Sequence, residues 1–188
     1  MRVVAGFLGG RRLVSARATD LRPATDRIKE TIFNILQNRL PLAGTEILDL
    51  FAGTGSLGIE AISRGAAHAT FVDISEKSLR VLRSNLAHLH CEEQCTVVKA
   101  EAFAFMDRND GQFNLIFADP PYAFEETPAI PQRIVAADLL KMGGFLIIEH
   151  SRKTPMVGSP EIPLLLQKEF GQTVVSFFST HSRATRRP

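Results

Sequence analysis

Cysteine is scarce in this chain of 188 residues: Cys91 and Cys95 are too few for a disulfide framework, and both are expected as reduced thiols of a cytoplasmic protein. Long apolar runs are missing too. Segments such as Phe145–Ile148 are far too short to cross a bilayer, which excludes a transmembrane helix and a membrane partner. Residues 1–10 lack a sustained apolar stretch and a cleavage-like pattern, so no secretory signal is expected. No internal repeat or low-complexity tract is present. What is left is ordinary globular composition, 45% hydrophobic and 22% charged, sized for one domain with a small appendage and a monomer by default.

The net charge of +2 conceals an uneven distribution. Residues 1–40 carry eight basic side chains (Arg2, Arg11, Arg12, Arg17, Arg22, Arg27, Lys29 and Arg39) against three acids, a net +5. The last ten residues add Arg183, Arg186 and Arg187, so the intervening body is acidic at −6. Cationic ends on an acidic body suit an anionic partner, with nucleic acid the first candidate. The chain divides accordingly: a basic hairpin and helix over 1–40, a core over 41–178 and a basic tail over 179–188.

Loose alternation around Gly6, Gly9 and Gly10 predicts an N-terminal β-hairpin. Thr25 or Asp26 then stands as the cap of a helix whose apolar face is Ile28, Ile32, Phe33, Ile35 and Leu36, ending before Pro41. From residue 46 short apolar strands alternate with helices. Strands are expected at Glu46–Leu50, Thr70–Val72, Thr96–Lys99, Phe113–Ala118, Phe145–Glu149 and Thr173–Phe178. Helices are expected at Leu57–Ser63, Lys77–His88 and Ala102–Arg108. Leu164–Phe170 reads as an antiparallel partner of the last strand, with a helix as the alternative. This pattern is α/β, a mostly parallel sheet with helices on both faces.

Two segments carry chemistry. In Asp49-Leu-Phe51-Ala-Gly53-Thr54-Gly55-Ser-Leu-Gly58 a strand runs through a glycine turn into a helix, which lets backbone approach a nucleotide-like ligand. The next strand ends at Asp73, placed to accept hydrogen bonds from two ribose hydroxyls. That glycine spacing alone is shared by dinucleotide dehydrogenases. Asp119-Pro120-Pro121-Tyr122 is more telling, because it follows an apolar strand directly, and in open α/β sheets ligands bind at the carboxyl ends of strands. Proline after Asp119 holds that residue extended, and the two prolines offer carbonyls without N–H groups. A carboxylate and a carbonyl match the two N–H donors of an exocyclic amine or amide, and Tyr122 stacks on a planar substrate.

These motifs resemble those of class I S-adenosylmethionine-dependent amino-methyltransferases. Arg22-Pro-Ala-Thr-Asp-Arg27, Phe33-Asn-Ile-Leu36, Asp49–Gly58 and Gly143-Gly144…Glu149-His150 together resemble the RsmD family, which methylates the N2 of a guanine in small-subunit ribosomal RNA. The resemblance implies a Rossmann-like, seven-stranded methyltransferase sheet with a reversed last strand. It implies that Thr25, Phe51, Gly53 and Gly55 line the methionine end of S-adenosylmethionine, that Asp73 holds the ribose, and that Glu101 and Ala102 meet the adenine. Asp49, Thr54, Gly58 and Ile74 complete the expected cofactor set. Asp119, Pro120, Pro121 and Tyr122 are the expected catalytic group around the target base. Ala24 stands where the family usually has a hydroxyl residue, and Glu101 where aspartate is usual.

The partner implied is ribosomal RNA or a partly assembled small ribosomal subunit, with Arg2, Arg11, Arg12, Arg17, Arg22 and Arg27 as expected contacts. A base inside a duplex cannot present its amine to such a site, so the target is expected unpaired or flipped out. His88-x-His90-Cys91-x-x-x-Cys95 lacks paired-ligand spacing, and no metal is expected. Other readings are an amino-methyltransferase acting on adenine, cytosine or a protein glutamine, and a non-catalytic RNA-binding module on the same fold. A dehydrogenase has no use for Asp119–Tyr122.

Overall fold

In the computed structural model, residues 1–14, 23–108 and 111–180 are described, with Pro23, Ala24 and Thr25 as backbone only. The short apolar segments form β1 (Glu46–Leu50), β2 (His68–Asp73), β3 (Cys95–Lys99), β4 (Phe113–Ala118), β5 (Leu140–Ser151), β6 (Leu164–Phe170) and β7 (Thr173–Ser179). Between them lie α1 (Pro23–Gln37), α2 (Ser56–Ser63), α3 (Glu76–Leu89), α4 (Ala102–Met106) and α5 (Ile130–Ala136). One seven-stranded sheet results, in the order β3-β2-β1-β4-β5-β7-β6. The first five strands are parallel, and β7 runs antiparallel between β5 and β6. Among the described residues no helix is long and apolar enough to cross a membrane.

Strand parity sorts the core into two layers. Ile47, Phe71, Phe117, Ile147 and Val175 face the layer that contains Phe33 of α1, Ile59 of α2 and Leu82 of α3. Leu48, Val72, Ile116, Leu146 and Phe178 face the other, with Phe103 of α4 and Ile130 of α5. Phe33 and Phe117 meet with ring centroids 5.7 Å apart, which fixes α1 over the middle of the sheet.

Several expectations need correction. Helix α1 begins at Pro23, so Thr25 and Asp26 lie inside its first turn and do not cap it; proline is well suited to the first helical position. Strand β5 starts at Leu140, five residues before the expected Phe145, because a register irregularity against β4 absorbs Gly143. Helix α5 has no counterpart among the expected helices; Pro131 occupies its tolerant first turn. Leu164–Phe170 is a strand, which removes the helical alternative.

The N-terminal hairpin is present in reduced form, as a single antiparallel bridge between Arg2 and Arg12. Its Val3, Leu8 and Leu13 are buried in the layer of α1 to α3. Its turn lies on the C-terminal end of α2. There the Phe7 amide donates to the Ser63 carbonyl at 2.9 Å, and the Leu8 amide to Ser63 Oγ at 3.0 Å. Gly6 has φ +82°, and a Cβ there would sit 1.8 Å from the Ser63 carbonyl oxygen, so only glycine permits this approach. Beneath it the fully buried Glu60 accepts from the Val4 and Ala5 amides at 2.7 and 3.0 Å and from Arg64 Nε at 2.8 Å. Lys29 Nζ stands 3.7 Å from Glu60 and also donates to the Arg2 carbonyl. The hairpin is thus built into the core.

Candidate active site

The site forms where the strands of the parallel half end. Strand β1 stops at Leu50, and the chain turns at Phe51, whose φ of +58° is a left-handed conformation costing a non-glycine residue about 1–3 kcal/mol. The turn is held from below. Asp73 Oδ2 accepts from the Gly53 amide at 2.8 Å, and its Oδ1 accepts from the Ser75 amide at 2.7 Å. Asp49 Oδ2 accepts from the Gly58 amide at 2.9 Å, in the first turn of α2. A Cβ at Gly58 would lie 2.4 Å from the Phe71 ring, so helix and sheet pack together only over glycine.

Beside this turn opens a cavity of about 420 Å³, within the size range of small-molecule sites. Phe51, Ala100, Pro121 and Phe124 supply apolar walls, and Asp73, Ser75, Ser78 and Glu101 supply polar groups. Val72, Ile74, Ala102 and Asp119 complete the lining. The Phe124 ring stands edge-on to Phe51 and Phe103 at 5.1 and 5.5 Å, a braced aromatic wall. One Glu101 oxygen is already used, accepting from the Ala104 amide at 2.8 Å to cap α4.

The parallel register aligns the functional side chains. Asp49 pairs with Phe71 on β2 and with Phe117 on β4, and Phe117 pairs with Ile147 on β5. Two residues further along each chain come Asp73, Phe51, Asp119 and Glu149, one row across the rim of the sheet. Asp49 lies one level below, buried. Burial pushes its carboxyl from 3.8 to about 8, with Asp119 and Asp73 adding and the Gly58 N–H opposing. Asp119 is open to solvent at the cavity mouth, yet the surrounding walls displace enough water to raise it to about 6. Glu149 is raised to about 8, first by burial and then by the charge of Asp119.

Beyond Asp119 the loop leaves the sheet. The Phe124 amide donates to the Pro121 carbonyl at 2.8 Å and closes a turn over Tyr122. The Tyr122 ring is 60% exposed, and its hydroxyl bonds Thr173 Oγ1 at 2.5 Å, tying the loop to β7.

Of the residues singled out in the sequence, Phe51, Asp73, Ile74, Glu101, Ala102, Asp119 and Pro121 share the cavity. Asp49, Gly53, Thr54, Gly55 and Gly58 do not line it; Asp49, Gly53 and Gly58 take part in the bonds that shape the turn. Pro120 is buried and Tyr122 exposed, and neither lines the cavity. The Thr25 side chain, Arg17, Arg22 and the arginines of the 181–188 segment lie outside the described residues. Arg2 pairs with Asp26 at 3.1 Å, Arg11 donates to the His88 carbonyl at 3.0 Å, and Arg12 and Arg27 are exposed. Sequence reasoning missed Ser75, Ser78 and Phe124, and gave Glu149 no role. Phe124 carried a signal, an aromatic two residues beyond Tyr122.

The family model described as Conserved hypothetical protein 95 matches residues 1–179. The Bacillus subtilis protein YlbH is 37% identical over 183 residues, 95% of this chain and 98% of its own. The Haemophilus influenzae ribosomal RNA small subunit methyltransferase D is 33% identical over 180 residues, 94% of this chain and 91% of its own. The solved structure of Escherichia coli yhhF has a TM-score of 0.84 at 28% identity, covering 97% of this chain and 99% of that one.

Proposed function

The chain belongs to the RsmD family of methyltransferases and has their Rossmann-like class I fold, and from that premise we propose that it methylates the exocyclic N2 amine of a guanine in small-subunit ribosomal RNA, with S-adenosylmethionine as donor. The observation that carries this reading is the position of Asp119-Pro120-Pro121-Tyr122, at the end of β4 and at the mouth of the cavity. The cavity fits the donor. Its apolar walls suit a flat nucleoside base, Asp73 suits a ribose diol, and Glu101 with Ala102 stands at the base end. When bound, S-adenosylmethionine supplies a methyl group on sulfonium sulfur, already electrophilic without a metal.

The chain's own contribution is to position the acceptor. The lone pair of a guanine amine is delocalised into the ring and points at nothing useful. Two hydrogen bonds, from the amine to the Asp119 carboxylate and to the Pro120 carbonyl, orient that lone pair toward the cavity and favour the positive charge that develops on nitrogen. Asp119 serves best as the anion. Tyr122, held by Thr173, gives the base a surface to stack on. The exposed Arg12 and Arg27, with the other arginines of the 1–40 segment, are assigned to phosphate contacts that steer the RNA, while Lys29 is buried against Glu60 and has no such role.

Transfer of labelled methyl to total RNA, followed by nucleoside analysis, tests the reading. Label in N2-methylguanosine is expected. Label in a methylated adenine or cytosine, or in protein glutamine, overturns the substrate.

A further inference from the structure

One acidic group at the rim has no task in the reaction described so far. Glu149 is half-buried on β5, and no hydrogen bond or ion pair to its carboxylate is found among the described residues. Ala118 pairs with Ile148, so the next residues on the two strands, Asp119 and Glu149, stand side by side. Parity with Phe117 and Ile147 puts both on the same face of the sheet. On its other side Glu149 pairs with Val175 of β7, and Thr173 of that strand holds the Tyr122 hydroxyl. The donor cavity reaches Asp119 but not Glu149. Glu149 therefore lies beyond Asp119 as seen from the donor, on the side from which the acceptor base must come, and it borders that place together with Asp119 and Tyr122.

We infer that Glu149 is a specificity-determining residue that accepts the ring N1–H of the target guanine while Asp119 and Pro120 hold its amine. This rests on the reading of N2 as the methyl acceptor. Guanine is the base that presents an amine and, next to it on the same edge, a ring N–H. Adenine and cytosine place a ring nitrogen acceptor, N1 or N3, beside their amines. In the empty site, burial beside Asp119 lets Glu149 keep its proton up to about pH 8; above that pH the half-buried carboxylate lacks a donor, so a ligand that brings an N–H is favoured and one that brings a lone pair is rejected. The same logic makes polar recognition more selective than shape, since the wrong base leaves two acceptors facing each other.

The test compares the wild-type chain with Glu149→Gln and Glu149→Ala on unmethylated small-subunit RNA at about pH 8.5, where Glu149 is mostly ionised, with labelled S-adenosylmethionine and nucleoside analysis of the product. Glu149→Gln is the sharper variant, because its amide can donate to N1 of adenine or N3 of cytosine. Expected for Glu149→Ala is a loss of about ten- to a hundredfold in kcat/KM for guanine, and for Glu149→Gln a smaller one, because its amide oxygen still accepts the N1–H. For Glu149→Gln, label should also appear in methylated adenine or cytosine. Donor affinity by calorimetry and the denaturation midpoint should match the wild type in both, which separates recognition from misfolding. If the wild type yields N2-methylguanosine and both variants keep its rate and its base choice, the role of Glu149 is overturned while the guanine reading stands. If the wild type itself labels another base, the guanine reading fails first, and the role of Glu149 with it.

Discussion

The two halves of the rim spend their carboxylates differently. On the donor side, Asp49 and Asp73 are committed to backbone amides, of Gly58 in one case and of Gly53 and Ser75 in the other. On the acceptor side, Asp119 and Glu149 stand next to each other, and among the described residues no backbone N–H bonds either carboxyl. The donor half is therefore a finished structure whose acids shape the turn before any ligand arrives. The acceptor half holds its hydrogen-bonding capacity in reserve for a substrate rich in N–H groups. Mutations should separate the two, because one set removes architecture and the other removes chemistry.

The largest separation is expected at Asp119. Asp119→Ala should lower turnover a hundredfold or more, on the order of 3 kcal/mol of transition-state stabilisation, with donor affinity and stability close to wild type. Steady-state kinetics and calorimetry on one preparation check this, and near-normal turnover would sink the proposed mechanism. Asp73→Ala should blur the contrast. It removes a charged acceptor worth about 1.5–3 kcal/mol to the donor and strands the Gly53 amide, so donor affinity and the denaturation midpoint should fall together. Loss of affinity alone would mean that the turn does not depend on this carboxylate.

A finer probe is the pH dependence of stability. Asp49 binds its proton more tightly folded than unfolded, so it makes stability decline as pH rises from 3.8 toward about 8. Asp49→Asn has no proton to lose, and its curve should be flatter through that window. Denaturant midpoints across the range check it, and parallel curves for the two chains would show that Asp49 is not held protonated. The smallest effect concerns the basic hairpin. Glu in place of Arg11 and Arg12 should weaken RNA binding and reduce the slope of log affinity against log salt by roughly 0.7–0.9 for each phosphate that is no longer neutralised. Donor binding should be untouched, and an unchanged slope moves the RNA grip elsewhere on the chain.

Much of the fold and the site is legible in the sequence. The alternation of apolar strands with helices implies the sheet, and Asp119 before two prolines announces a rigid, acceptor-rich loop at a strand end. What escapes depends on register and on distant pairing. Glu149 stands beside Asp119 through the pairing of β4 with β5, and 30 positions separate them in sequence. The helix at Ile130–Ala136 is short and contains Pro131, which its position in the first turn makes harmless. Glu60 does leave a trace, a single acid inside the apolar run of α2, but its partners Lys29, Arg64, Val4 and Ala5 come together only through folding.

That buried acid also sets how the N-terminal arm can move. Val4 and Ala5 donate their amides to a side chain anchored in α2, which is in turn engaged by a cation from α1. Lifting the hairpin would leave Glu60 facing too few donors in an apolar layer, so its opening is coupled to the opening of the whole domain. In hydrogen exchange these two amides should therefore be among the slowest in the chain, beside those of the central strands. On the proposed role in RNA binding, an arm fixed this way would offer Arg12 on a rigid surface, and any adjustment needed to seat the RNA would fall to the RNA.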